Sequence, residues 1–166
     1  MKTYIIHKGS NSSGFNLKPH WNKKNYKQLV KIKDLNTYQD FITDQRDSNN
    51  LFGLSYGLNH SVGISFNLKE DSLYLYGYSK SNNYECKELL SKCKLDTYYY
   101  LEIDVLESVI EFSVYSFRRK VKDKLILSTP NESYFPLGLI TYPQLSGNSQ
   151  APISLKIIMG EYTNSF

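Results

Sequence analysis

The chain has 166 residues, 40% hydrophobic and 22% charged, with a formal net charge of +4. This is one domain's worth of ordinary globular composition, able to bury roughly 70% of the surface its unfolded chain exposes, which excludes a disordered or low-complexity class. No stretch approaches the ~20 apolar residues of a membrane-spanning helix, so no membrane partner is expected.

Fifteen tyrosines, fourteen asparagines and a single alanine, Ala151, shift the balance away from helix. Alanine is the strongest helix former, whereas tyrosine suits half-buried pleated surfaces. In chain order, "TYIIH" (3–7) reads as a first strand, "SNSSG" (10–14) as a loop, and "FNLKPHW" (15–21) as extended around Pro19. "YKQLVKIK" (26–33) is a strand with Gln28, Val30 and Ile32 on one face. In 34–50 the spacing of Tyr38, Phe41 and Ile42 predicts one short helix or a structured loop.

Strands are then predicted over 51–56, 62–68 and 72–79. The stretch between the first two, "LFGLSYGLNHS", is read as strand end, a turn over Gly57, Leu58, Asn59 and His60, and strand start. Gly57 and Asn59 suit a positive φ, while Gly53 and Gly63 mark close approach of another group. In 72–79, Leu73, Leu75 and Gly77 oppose Tyr74, Tyr76 and Tyr78. A cysteine-bearing segment (84–94) precedes strands 98–105 and 109–117, the first with Tyr99, Leu101, Ile103 and Val105 inward and Tyr98, Tyr100, Glu102 and Asp104 outward. The last strands are predicted over 124–128, 137–142 and 153–159. Ten or so strands separated by Gly, Asn, Asp and Ser clusters predict an all-β, two-sheet antiparallel jelly-roll sandwich in a single domain spanning 1–166.

The charge pattern argues against nucleic acid. Only Arg46, Arg118 and Arg119 are arginine, and the lysines are dispersed among acidic residues; the run Arg118–Lys124 reads as a solvated hairpin rim. Cys86 and Cys93 lie seven apart with no CxxC spacing, so no zinc site is expected. They could pair across a hairpin, but the opening "MKTYIIHKGSNSSG" has no apolar signal core, so a cytoplasmic origin and free thiols are expected. His7, His20 and His60 form no HxH or HExxH arrangement, and no nucleophile signature or phosphate loop is present. Neither metal nor cofactor is expected.

"LEIDVLE" (101–107) resembles the E-I-D-x-x-E core of laminarinase-type β-glucanases. That resemblance implies Glu102 as nucleophile, Asp104 as its helper and Glu107 as acid/base in retaining glycoside hydrolysis. Glu107 joins the other two on one face only if a bulge follows Asp104. The next residues, "SVIEF", lack the family's pattern, so Glu107–Ser108 is read as a hairpin turn.

Taken together, "LFGLSYGLNHSVGISF", "LYLYGYS", "YYYLEIDV…VIEFSVYSF" and "PLGLITYPQLSGNSQAPISLKI" resemble small concanavalin A-like jelly-roll proteins of gut Bacteroidetes and their crAss-like phages. The resemblance spans residues 18–158 and implies a jelly-roll fold without an assigned activity; its closing turn falls on Gly147-Asn148 and Ala151-Pro152. The expected function is therefore a non-enzymatic virion component, such as an auxiliary capsid or head-decoration protein, localised to the virion after assembly in a host cytoplasm. Its partners would be other protein subunits, capsid or self. A carbohydrate-binding module is the second expectation. The residues expected to meet a glycan or protein are Trp21, Tyr56, Asn59, His60 and the row Tyr74, Tyr76 and Tyr78.

Overall fold

The computed structural model describes residues 1–6, 17–34, 49–57, 60–69, 72–81, 84–129, 137–143 and 155–161. Twelve strands run through them: β1 (Lys2–Ile6), β2 (Leu17–Trp21), β3 (Asn25–Asp34), β4 (Asn49–Tyr56), β5 (His60–Lys69), β6 (Ser72–Ser81), β7 (Tyr84–Lys94), β8 (Tyr99–Val105), β9 (Val109–Ser116), β10 (Val121–Ser128), β11 (Leu137–Thr141) and β12 (Leu155–Glu161). No helix occurs among the described residues. Most of the segment predicted as a short helix lies outside them, and its last two residues, Asn49 and Asn50, open β4 instead.

The strands form two antiparallel six-stranded sheets, ordered β1-β12-β3-β8-β9-β10 (sheet I) and β2-β11-β4-β5-β6-β7 (sheet II). The pairing is nested, β1 with β12 and β2 with β11, so the chain's two ends run side by side as in a rolled hairpin.

Period-two patterning produces the core. On β8 the residues Tyr99, Leu101, Ile103 and Val105 are all buried, and on β9 Ile110, Phe112 and Val114 face the same way. Phe52, Phe66 and Phe112 are the largest fully buried side chains, each contributing about 1.5–3 kcal/mol by leaving water. Gly77 lets the sheets approach: a Cβ there would stand 2.8 Å from the ring of Phe112 and from Leu125.

Among the described residues, three bulges break the alternation. In β4 the register shifts between Asn50 and Phe52, which lets consecutive Leu51 and Phe52 both be fully buried. In β7 the pairing steps from Ser91 to Leu89, and both Leu90 and Ser91 are buried. In β10 the shift lies between Val121 and Asp123 and places Lys122 against β7. There the edges of the two sheets are clasped. The Lys122 ammonium donates to Ser91 Oγ (2.7 Å), to Asp123 (2.6 Å) and to the Lys92 carbonyl (2.8 Å), and Ser91 Oγ donates to Asp123 at 2.5 Å. At the opposite seam Tyr4 of β1 stacks on Tyr142, just beyond β11, at 5.6 Å.

Candidate binding face

The outer face of sheet II carries the expected contact residues that the structure exposes. Pairing across β11, β4, β5, β6 and β7 aligns Thr141, Gly53, Gly63, Tyr78 and Lys87 in one row. The next row runs Asn50, Ser65, Tyr76 and Leu89. Gly53 and Gly63 are close-approach positions, as the sequence suggested. A Cβ on Gly63 would meet the Tyr78 ring at 2.5–2.6 Å, and one on Gly53 would meet the Val62 carbonyl at 2.5 Å and the Tyr78 hydroxyl at 3.1 Å. Tyr78 thus lies across the sheet over both glycines, its hydroxyl donating to Asn50 Oδ1 at 3.3 Å. Burial pushes that phenol well above its ordinary pKa.

Tyr74 and Tyr76 share this face, half-buried. Each is covered by a lysine from β7: Lys87 Nζ sits 4.7 Å from the Tyr76 ring centre and Lys92 Nζ 5.4 Å from that of Tyr74. Two neighbouring polar atoms, Ser65 Oγ and Asn67 Oδ1, are buried without a hydrogen-bond partner.

At the other end of the same face the surface is apolar. Trp21 is 72% exposed on edge strand β2, opposite exposed Leu137, and Leu139 stands opposite Pro19 with Leu17 two residues further along β2. The proline removes one donor from the unpaired edge.

Two expected residues do not belong here. Tyr56 is 2% exposed, its hydroxyl donating to the Lys23 carbonyl at 2.7 Å and its ring edge-on to His20. It points inward because it alternates with Ser55, which faces out beside Leu139. His60 is no turn tip: it opens β5, half-buried and registered against Tyr56. Gly57 has the expected positive φ, 63°. Asn59 and Leu58, like His7 and the 147–152 turn, lie outside the described residues.

The E-I-D-x-x-E residues occupy the outer face of sheet I. Glu102 accepts from Asn25 Nδ2 (3.0 Å) and the Tyr115 hydroxyl (2.7 Å) and pairs with Lys27 (3.0 Å). Burial raises its pKa, but those three partners outweigh burial and hold the carboxyl below its usual range. Both oxygens are engaged, and the group is held as an anion. The β8–β9 register runs unbroken from Tyr99 to Val105, so the bulge that Glu107 needed is absent. Leu106 N donates to the Val109 carbonyl at 2.9 Å, closing the expected turn at Glu107–Ser108.

Further along that face Phe117, 62% exposed, stacks on Tyr100 (6.4 Å, 10°) beside Tyr98. Tyr98 and Tyr100 were legible from alternation; Phe117, the last residue of the predicted strand 109–117, was not singled out and lies just past the end of β9. Cys86 and Cys93 are free thiols on the single strand β7, where seven residues of extended chain separate them by about 20 Å. Burial pushes the Cys93 thiol up, away from reactivity. Among the described residues no three His, Cys, Asp or Glu side chains converge as metal ligands.

No protein-family model matches the chain, and no curated protein matches it in sequence. Among solved structures it is similar to a functionally unknown protein from Saccharomyces cerevisiae, with a TM-score of 0.54 and 10% identity over 98% of this chain and 88% of that one. That likeness shows the sandwich fold and nothing more. Looser likenesses include a GH43 protein from Bacillus licheniformis (TM-score 0.48, 10% identity, 84% of this chain and 28% of that one). Another is the CBM2 module of the evolved Dit of Lactobacillus casei phage J-1 (TM-score 0.46, 14% identity, 95% and 65%). Neither is close enough to bear on function.

Proposed function

We propose that this β-sandwich is a non-enzymatic assembly component, such as an auxiliary capsid or head-decoration protein of a phage. It docks a neighbouring protein subunit through the apolar end of sheet II. The observation that supports this reading is the exposed Trp21 with Leu17, Leu137 and Leu139 on two adjacent strands. A tryptophan ringed by leucines on a rigid sheet is the composition of an interface hot spot, and scattered surface apolar residues do not gather in this way. Purified particles from the source should contain the chain. Trp21→Ala should leave its melting temperature unchanged while releasing it from the particles. A chain absent from purified particles, or a Trp21→Ala variant retained on them as firmly as wild type, refutes the docking face.

A second reading, carbohydrate binding at the tyrosine end of the same face, is supported by the partnerless Ser65 Oγ and Asn67 Oδ1 beside Tyr74, Tyr76 and Tyr78. Buried polar atoms without partners are costly, and a hydroxyl-rich ligand supplies them once the covering side chains move. A glycan array blank at high protein concentration removes this reading.

A further inference from the structure

One row across sheet II places an amide, an aromatic ring and a cation side by side. Asn67 on β5 is paired with Tyr74 on β6, and Tyr74 with Lys92 on β7. Ser65 and Tyr76 make the neighbouring pair on the same face. Directly paired side chains start about 4.5–5.5 Å apart, and successive rows on one face lie about 7 Å apart. The five groups therefore surround one small patch.

Two of them are incomplete. Ser65 is 2% exposed, and neither its hydroxyl nor Asn67 Oδ1 has a hydrogen-bond partner. Leaving buried polar atoms unpaired costs stability, and the hydroxyls of a ligand remove that cost.

The two lysines on the tyrosine rings differ. Lys87 sits on the Tyr76 ring and is held by a further contact as well. Lys92 is exposed and makes no ion pair among the described residues, and its ammonium rests 5.4 Å from the centre of the Tyr74 ring. The carboxylate of Glu85 lies at the other end of the same face, paired with Lys80 at 3.4 Å. A neutral sugar stacking on Tyr74 has to push the Lys92 charge off the ring and gives it nothing in return. A sugar with an anionic group takes the ammonium for itself and bares the ring in one step.

We propose that this patch binds an acidic sugar residue of a glycan chain, one bearing a carboxylate or a sulfate. Lys92 swings from the Tyr74 ring to the anionic group, and the apolar face of the sugar takes its place on the ring. Sugar hydroxyls pair with Ser65 Oγ and Asn67 Oδ1. This selectivity rests on the carbohydrate reading of the tyrosine end, which can hold without it.

A glycan array carrying neutral, uronate-bearing and sulfated chains separates the two. The strongest hits should be acidic. Binding of neutral chains alone overturns the acidic subsite and leaves carbohydrate binding standing, whereas a blank array removes both. The best acidic ligand is then titrated beside its neutral partner, made by methyl esterification of the carboxylate or by desulfation. The acid should bind about fivefold more tightly, the ratio that about 1 kcal/mol for a surface ion pair yields. Lys92→Gln alters an exposed side chain, so it should keep the wild-type melting temperature and erase that ratio. Ser65→Ala removes an unpaired buried hydroxyl, so it should fold at least as stably as wild type while weakening both ligands alike. Equal affinity for the acid and its neutral partner overturns the proposal. So does a ratio that survives Lys92→Gln, or a Ser65→Ala variant that binds as tightly as wild type.

Discussion

Removing the Asp123 carboxylate tests what holds the β7/β10 seam. Ser91 is buried and donates to Asp123 at 2.5 Å, a hydrogen bond to a charged acceptor of the kind that contributes about 1.5–3 kcal/mol. The Lys122–Asp123 pair adds little, because its side chains are 36% and 38% exposed and such pairs contribute roughly 0–1 kcal/mol. Asp123→Ala should therefore destabilise the fold by about 2 kcal/mol. Asp123→Asn, which keeps an acceptor oxygen but no charge, should lose about 1 kcal/mol. In urea the alanine variant's midpoint should fall by about 0.7–1 M at an unchanged slope, and its melting temperature by roughly 4–8 °C.

Acidity supplies the sharper check. The hydrogen bonds from Lys122 and from Ser91 hold Asp123 below the usual carboxylate range. A carboxyl depressed in the folded state contributes its full stability above its unfolded value near 3.9, and loses it as pH falls through the folded value. The gap between wild type and Asp123→Asn should be constant above about pH 5 and close toward pH 3. An Asp123→Asn variant as stable as wild type at pH 7, or a gap that persists undiminished at pH 3, refutes the clasp.

Two further outcomes follow from the geometry. Gly63→Ala must displace the Tyr78 ring, a flexible side chain rather than backbone, and should cost about 1–3 kcal/mol by urea unfolding; a neutral Gly63→Ala would mean Tyr78 does not rest there. His20 donates from Nε2 to the Ser55 carbonyl (3.0 Å) and accepts at Nδ1 from Lys23 N (3.3 Å), an arrangement only the neutral ring can make. Burial lowers its pKa, so stability should decline as pH drops from about 6.5 through the folded value, and His20→Gln should lack that slope in unfolding curves from pH 7 to 5.

The parts of this fold written in single strands were legible in the sequence. Inward Gln28, Val30 and Ile32, the four inward residues of β8, the turn at Glu107–Ser108 and the close approach at Gly63 all follow from period-two patterning and side-chain size, which act locally. Contacts made between distant strands were not. Tyr56 shares the inward face of Phe52 and Leu54 by alternation, but the Lys23 carbonyl and His20 ring that hold it come from β2 and the residues just after it, more than thirty positions away. The run Arg118–Lys124 reads as a solvated rim, yet Lys122 is taken up by Ser91 because a bulge in β10 faces a bulge in β7. Bulges add one residue without changing composition, so no periodicity announces them. Trp21 was singled out from the sequence and is exposed, but Leu137 and Leu139 beside it come from β11, more than a hundred residues along the chain.

The nested pairing of the chain's ends also sets an order of assembly. The β4–β7 meander joins strands that follow one another directly, so it can form as soon as it leaves the ribosome. β1 and β2, made first, must wait for β12 and β11, made last, before their ladders exist. Pairings of such long sequence separation close slowly. During synthesis the apolar inner faces of Tyr4, Ile6 and their neighbours stay uncovered for most of the chain's elongation. That interval is when one chain's first strands can be captured by another copy's last.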